Sequence, residues 1–193
     1  MKKRFVILIA VVLAALSRVD AQNVAVKSNL FYDAFANINL GVEVGLAPKW
    51  TLDVTGDFNA WDMSHDRRWK HWIVQPELRY WFCDRFTGHF LGVHAFGGQY
   101  NVGNLKNSIK FLGNDVSKWT DHRYEGWLVG AGIAYGYSWI LSKHWNLEAE
   151  LGFGAAYTPY DEFECDECGR RSGDGNYWYV GPTKAAFNIV YLF

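Results

Sequence analysis

Beyond residue 23 the chain alternates apolar and polar positions with a period of two, and that period places successive side chains on opposite faces of a strand. Eight such segments are legible. The first covers Val24 to Ala34, with Val24, Val26, Leu30 and Tyr32 against Lys27, Asn29 and Asp33. The second sets Ile38, Leu40, Val42, Val44 and Leu46 against Asn39, Gly41, Glu43 and Gly45, and Pro48-Lys49 then supplies a tight turn. The third sets Trp50, Leu52, Val54 and Phe58 against Thr51, Asp53, Thr55 and Asp57. The fourth, His71 to Phe82, sets Trp72, Val74, Leu78 and Tyr80 against Gln75, Glu77 and Arg79. Pro76 on its apolar face removes a ladder donor and predicts a bulge or a weakened pairing. The fifth, Phe86 to Tyr100, has an ambiguous facing, because Phe90 and Phe96 share a face with Gly92, His94 and Gly98.

The sixth segment alternates Trp127, Val129, Ala131, Ile133, Tyr135, Tyr137 and Trp139 with Gly130, Gly132, Ala134, Gly136 and Ser138. The seventh alternates Trp145, Leu147, Leu151, Phe153 and Tyr157 with Asn146, Glu148, Glu150, Gly152 and Gly154. In the last, Tyr177 to Phe193, one face reads Tyr179, Gly181, Thr183, Ala185, Phe187, Ile189, Tyr191 and Phe193, and the other Lys184, Ala186 and Asn188. Short turns near 48, 84 and 142 alternate with longer loops near 66, 112 and 167. Trp50, Trp81, Trp139 and Trp145 adjoin the short turns, while Trp61, Trp69, Trp72, Trp127 and Trp178 adjoin the long loops. Eight segments with this alternation predict an all-β fold: an eight-stranded antiparallel transmembrane β-barrel with short periplasmic turns, longer extracellular loops and two aromatic girdles.

Composition sharpens this picture. The chain holds 10 Trp, 11 Tyr and 13 Phe beside 19 Gly and only 4 Pro, which fits short strands with a crowded, glycine-lined interior. Lys2, Lys3 and Arg4 precede an apolar run from Phe5 to Leu16, and Val19-Asp20-Ala21 has the small residue of a cleavage site. Residues 1–21 therefore read as a secretory signal peptide and 22–193 as the barrel. Removal of Lys2, Lys3, Arg4, Arg18 and Asp20 with the signal would leave 15 basic and 19 acidic residues. No basic excess points to nucleic acid. The run ending on Phe193 carries the aromatic pattern of an assembly signal, Phe187, Ile189, Tyr191 and Phe193, with the barrel assembly machinery as the implied reader.

The polar faces hold the candidate chemistry. Across the Pro48-Lys49 turn Glu43 and Asp53 come opposite each other, with Arg79 reaching their level beside Glu77. Glu148 and Glu150 are successive on one face, within reach of Lys184. These seven side chains predict a charge cluster filling a narrow interior, since eight strands leave room for side chains only. A proton or ion path along the carboxylates is the competing reading. Cys165 and Cys168 lie in an acidic stretch with Asp161, Glu162, Glu164, Asp166 and Glu167. In an exported chain this spacing suggests a local disulfide; a single C-x-x-C lacks two of the four ligands of a structural zinc site. The carboxylates do not match an EF-hand loop, and Cys83 has no evident mate. His94 and Ser138 invite comparison with outer-membrane lipid hydrolases, but both fall on the inward face and no third orienting residue is evident. His65, His71, His89, His122 and His144 show no metal-ligand spacing. No catalytic, cofactor or metal site is expected.

Four stretches, Lys27-Ser28-Asn29-Leu30-Phe31-Tyr32-Asp33, Gly88-His89-Phe90-Leu91-Gly92-Val93-His94, Glu164-Cys165-Asp166-Glu167-Cys168-Gly169 and Gly181-Pro182-Thr183-Lys184-Ala185-Ala186, give the chain a family likeness. It resembles a family of Bacteroidetes outer-membrane barrels catalogued as a domain of unknown function. That resemblance implies an envelope role, often beside fimbrial or surface-assembly genes. Some relatives carry a peptidoglycan-binding domain after the barrel, which the run to Phe193 does not imply here.

The expected function is accordingly a non-enzymatic scaffold in the bacterial outer membrane, bathed in outer-membrane lipid, whose loops meet a fimbrial or envelope protein. The loops in question are 101–122 and 159–176, the first with Leu105, Ile109, Phe111, Leu112, Val116 and Trp119. A narrow pore or a lipid-modifying enzyme is the alternative. A soluble lipocalin-like barrel is a third reading, which would leave the small-residue column Gly130 to Gly136 on a wet exterior.

Overall fold

The computed structural model describes residues 23–34, 37–59, 62–63, 67–103, 123–163 and 171–193. Eight long strands run antiparallel around a closed ring: β1 (Val24–Asn29), β2 (Ile38–Ala47), β3 (Trp50–Asn59), β5 (Arg67–Trp81), β6 (Gly88–Gly103), β7 (Arg123–Ile140), β8 (Trp145–Phe163) and β9 (Arg171–Leu192). The two-residue β4 (Asp62–Met63) adds to β5, and among the described residues one short helix, α1 (Leu30–Ala34), follows β1. Neighbours in sequence pair in turn, β3 pairs with β5, and β1 pairs with β9 to close the ring.

The eight-segment reading holds, with corrected bounds. The first segment stops being a strand at Asn29, because Asn29 caps a helix. Its Oδ1 accepts from the Phe31 N–H at 3.1 Å, and the two apolar positions assigned to a strand face, Leu30 and Tyr32, lie on α1 instead. The stretch 159–176 is mostly hairpin rather than loop, since β8 continues to Phe163 and β9 begins at Arg171. The first three residues of 101–122 likewise belong to β6. Residues 104–122, the stretch 1–21 expected to be a signal peptide, and the pair Cys165 and Cys168 lie outside the described residues.

Burial is inverted relative to a water-soluble sheet protein. Leu40, Leu52, Val54, Leu78, Val93, Val129, Ile133, Leu151 and Phe153 are exposed on the outer face, whereas the polar faces point inward and are buried. The ambiguous β6 faces Phe90, Gly92 and His94 inward and Leu91 and Val93 outward. Trp50, Trp139 and Trp145 stand exposed near the short-turn end, and Trp72, Trp127 and Trp178 near the other. Trp81 does not belong with them. Its odd position on β5 turns it inward, where it is 0 % exposed and packs on Phe90 with ring centroids 4.6 Å apart. With Ala25, Phe86, Val190 and Leu192 it forms an apolar plug at the short-turn end.

Of the three prolines inside strands, Pro76 and Pro182 mark local irregularities. Pairing between β5 and β6 lapses at Gln75 and Pro76 and resumes at Glu77 opposite His94 in unchanged register, so Pro76 weakens the ladder without a bulge there. Pro182 does accompany a bulge: Gly152 faces Lys184 but Phe153 faces Pro182, leaving Thr183 extra. One extra residue reverses the alternation above it. Tyr179 and Thr183 therefore leave the outer face that Ala185, Phe187, Ile189 and Tyr191 occupy; Tyr179 turns its hydroxyl to the Pro182 carbonyl at 3.0 Å and Thr183 its own to His94. Gly181 goes with them, under the Tyr179 ring. In the turn before β6, Phe86 has φ 65°, a left-handed conformation costly for a side chain of this size; its ring in the plug and its carbonyl, accepting from Asn146 Nδ2 at 2.7 Å, hold it there.

Asn29 does more than cap α1. Its Nδ2 donates to the Ala185 carbonyl at 3.3 Å and its Oδ1 accepts from the Phe187 N–H at 3.2 Å, so one side chain continues the β1–β9 ladder where β1 has ended. Asn29→Ala should lower unfolding stability in detergent by about 1–2 kcal/mol, read from denaturant titration. No loss would mean that these bonds are replaced by water.

Candidate functional site

The interior site is a charge cluster above the apolar plug. Register brings it together: Glu43 faces Asp53 across the β2–β3 turn, and Asp53 faces Glu77 across β3–β5. Arg79, 0 % exposed, is the hub. Its Nε lies 2.6 Å from Glu77, its Nη1 2.9 Å from Glu43 and 3.0 Å from Glu148, and its Nη2 2.7 Å from Glu150 and 3.2 Å from Asp53. The guanidinium carbon also sits 4.4 Å from the centre of the Phe90 ring. A planar fork with five donors suits this role, and a lysine could not contact so many carboxylates in one plane. Lys184 Nζ reaches Glu77 at 2.7 Å, Glu150 at 3.2 Å and Asp53 at 3.9 Å.

All seven side chains expected in the cluster are therefore in it. Sequence reasoning missed four more. Lys27 bonds Glu43 and lies 3.5 Å from Asp53 and 3.4 Å from Glu148. Asn188 donates to Glu148 at 2.9 Å, and Thr51 donates to Glu43 while accepting from Trp81 Nε1 at 2.9 Å. His94 touches the edge of the cluster, its Nε2 2.9 Å from Thr183 Oγ1 and its Nδ1 3.6 Å from Glu77. The inward parity of Lys27 was readable, but its approach to Glu148 depends on the β1–β9 closure, which no local pattern encodes. The glycines are the other readable signal, because they make room for large partners. A Cβ on Gly92 would come within 2.5 Å of Glu77, one on Gly132 within 2.7 Å of His94, and one on Gly41 within 2.5 Å of Lys27.

Five carboxylates (Glu43, Asp53, Glu77, Glu148, Glu150) face three cations (Lys27, Arg79, Lys184), and this imbalance makes the cluster tolerant in one direction. Glu150 Oε1 has no hydrogen-bond partner, while its other oxygen accepts from Arg79. An amide there keeps the accepted bond and removes a surplus charge. Glu150→Gln should leave unfolding stability within about 1 kcal/mol of wild type, since its useful acceptor survives. A loss comparable to removal of a cation would show that the cluster needs every charge.

Above the cluster a polar pocket opens under α1, lined among others by Lys27, Asn29, Tyr32, Asp57, Gln75 and Lys184. Its volume of about 20 Å³ holds roughly one water. Burial, with the Asp57 carboxylate adding to it, pushes the Tyr32 hydroxyl up to about 12, so the phenol there stays neutral. Ser138 lies at another level, opposite Gly88, and accepts from Asn146; His94 lies opposite Gly132. The two are thus not paired. Among the described residues no group of three or more His, Cys, Asp or Glu is arranged to hold a metal ion. Cys83 is exposed in the turn before β6. Phe187, Ile189 and Tyr191 line the outer face of β9, and Phe193 stacks edge-on against Tyr191 at 5.0 Å.

Residues 5–193 match the family model described as "Protein of unknown function (DUF3575)". The chain belongs to this family. No curated protein and no solved structure matches it. For this family member, the ring, the inverted burial and the charge cluster are what a functional reading has to build on.

Proposed function

We propose that this chain is an integral outer-membrane β-barrel that acts as a non-enzymatic surface scaffold, with the long-loop end as its interaction surface. The observation that carries the reading is the inverted burial: Arg79, Glu43 and Asp53 are wholly enclosed while Ile133 is 66 % exposed. Water gives no reason to display such an apolar belt, and hydrocarbon does. A closed ring is also the one β arrangement that satisfies every backbone group in a bilayer. The outward tryptophans at both ends have the placement of interfacial girdles. In this reading the short turns face the periplasm and the longer hairpins the exterior. Outer-membrane lipid surrounds the wall, the Phe187–Phe193 pattern is read by the assembly machinery, and a fimbrial or envelope protein meets the hairpins.

The filled interior supports a scaffold over a pore. The plug of Trp81, Phe86 and Phe90 closes one end, and the space above the charges admits about one water. Envelope fractionation with a heat-modifiability gel tests the location. The protein should fractionate with outer membranes and migrate anomalously until boiled; recovery in the soluble fraction would overturn the barrel reading in favour of a lipocalin-like protein. Planar-bilayer recording should show no steady conductance, and steady channels would replace the scaffold with a narrow pore.

A further inference from the structure

One enclosed carboxylate stands outside the charge cluster. Asp57, on β3, is 9 % exposed, yet among the described residues it makes neither a hydrogen bond nor an ion pair. It lines the polar pocket under α1 together with Asn39, its cross-strand partner on β2, with the Thr55 and Gln75 pair of β3 and β5, and with Tyr32 of α1. The Gln75 amide, nearly as buried, and the Tyr32 hydroxyl also make no hydrogen bond with a described residue. An enclosed carboxylate without a partner is costly, and such a group in a native fold calls for a water, a proton or an ion.

Charge and size narrow the choice. Lys27 and Lys184 line the pocket too, but their ammonium groups are taken up below it: Lys27 bonds Glu43 and lies 3.4 Å from Glu148, and Lys184 Nζ lies 2.7 Å from Glu77 and 3.2 Å from Glu150. The field of Lys184 reaches Asp57 without forming a pair. With Asp57 added to the five carboxylates of the cluster, six buried carboxylates share the interior with three buried cations, Lys27, Arg79 and Lys184, among the described residues. A cation is the occupant this balance favours. The cavity of about 20 Å³ takes one water-sized particle, which admits a bare alkali ion and no organic cation. Calcium takes about six to eight oxygen ligands and gains affinity from several carboxylates, and this pocket has one.

We propose that the pocket under α1 is a sodium site, with the Asp57 carboxylate as its charged ligand and the oxygens of Tyr32, Thr55 and Gln75 as neutral ones. A search for clustered His, Cys, Asp and Glu passes over such a site, because only one of its ligands is acidic. The ion joins α1, through Tyr32, to β3 and β5, so the helix that Asn29 fastens to β9 is fastened to the opposite wall as well. The site concerns the interior alone, and it stands whether the outer wall faces lipid or water.

The test uses the full chain folded in neutral detergent, in sodium, potassium or choline chloride at equal concentration. The thermal midpoint by circular dichroism and the sodium-23 line width are read. Sodium should raise the midpoint by a few degrees over choline, saturably, because it binds the folded state alone, and its resonance should broaden beyond that in empty micelles. Potassium, the larger ion, should do less. Asp57→Asn keeps the shape and removes the charge, and should abolish both responses; Tyr32→Phe should weaken sodium binding about threefold or more through a lost ligand. Asp84→Asn, in an exposed turn, should respond as wild type. Equal midpoints in sodium and choline, potassium as effective as sodium, a larger response to calcium, or an undiminished response in folded Asp57→Asn would each overturn the proposal. If Asp57→Asn does not fold, an unaltered response in Tyr32→Phe overturns it instead.

Discussion

Arg79→Met should destabilise the fold by about 3–5 kcal/mol, the cost of removing one partner from a buried ion cluster and leaving the others uncompensated. The guanidinium touches Glu43, Asp53, Glu77, Glu148 and Glu150, and Lys27 and Lys184 alone cannot offset five enclosed carboxylates. Methionine matches much of the length and none of the charge, so the loss measures electrostatics more than cavity. Denaturant titration in detergent or lipid vesicles reads it. The companion Arg79→Met, Glu43→Gln, Glu148→Gln should recover a large part of the loss, since hydrogen-bonded neutral groups carry a far smaller desolvation penalty. If Arg79→Met alone were as stable as wild type, the cluster would have to be wet, and the plug would lose its meaning.

Ile133→Arg should cost about 2–4 kcal/mol in a bilayer if the residue lies near its midplane. Ile133 occupies the middle of β7, opposite Val93 and Phe153, both exposed on the same outer wall. Refolding into vesicles measures the loss, and the same substitution in a soluble ring would be harmless or beneficial. Gly132→Arg differs in kind. A side chain there would collide with His94 and the Phe153 carbonyl, so it should prevent ring closure in detergent and bilayer alike. Unimpaired bilayer folding of Ile133→Arg would overturn the lipid-facing assignment.

Much of this molecule was legible because alternation is a local property. Each of Glu43, Asp53, Glu77, Arg79, Glu148, Glu150 and Lys184 could be assigned to the interior by parity within its own segment, and the two-residue turn at Pro48-Lys49 set the first register. What escaped depended on more than parity. Trp81 was grouped by nearness to a turn, although its odd position beside Tyr80 already pointed inward. Leu30 and Tyr32 kept the strand rhythm by coincidence while Asn29 diverted the backbone into a helix. Tyr179, Gly181 and Thr183 were misplaced because one bulge reverses every face beyond it, and nothing in the alternation announced that bulge except Pro182. The contact of Lys27 with Glu148 could not be found without knowing which strand closes the ring.

That closure has a consequence for how the chain is made. Ala25 pairs with Leu192, so the earliest strand waits for nearly the last residue before its second edge is covered. Contacts of such sequence separation form late, after the entropy of closing an enormous loop has been met. Until then a nascent chain carries an uncovered ladder at each end and an apolar outer wall, the features that drive aggregation of partly folded states. If the chain reaches an outer membrane as proposed, a factor that shields both edges on the way would be needed, and release into a bilayer would be useful only once β9 is available to meet β1.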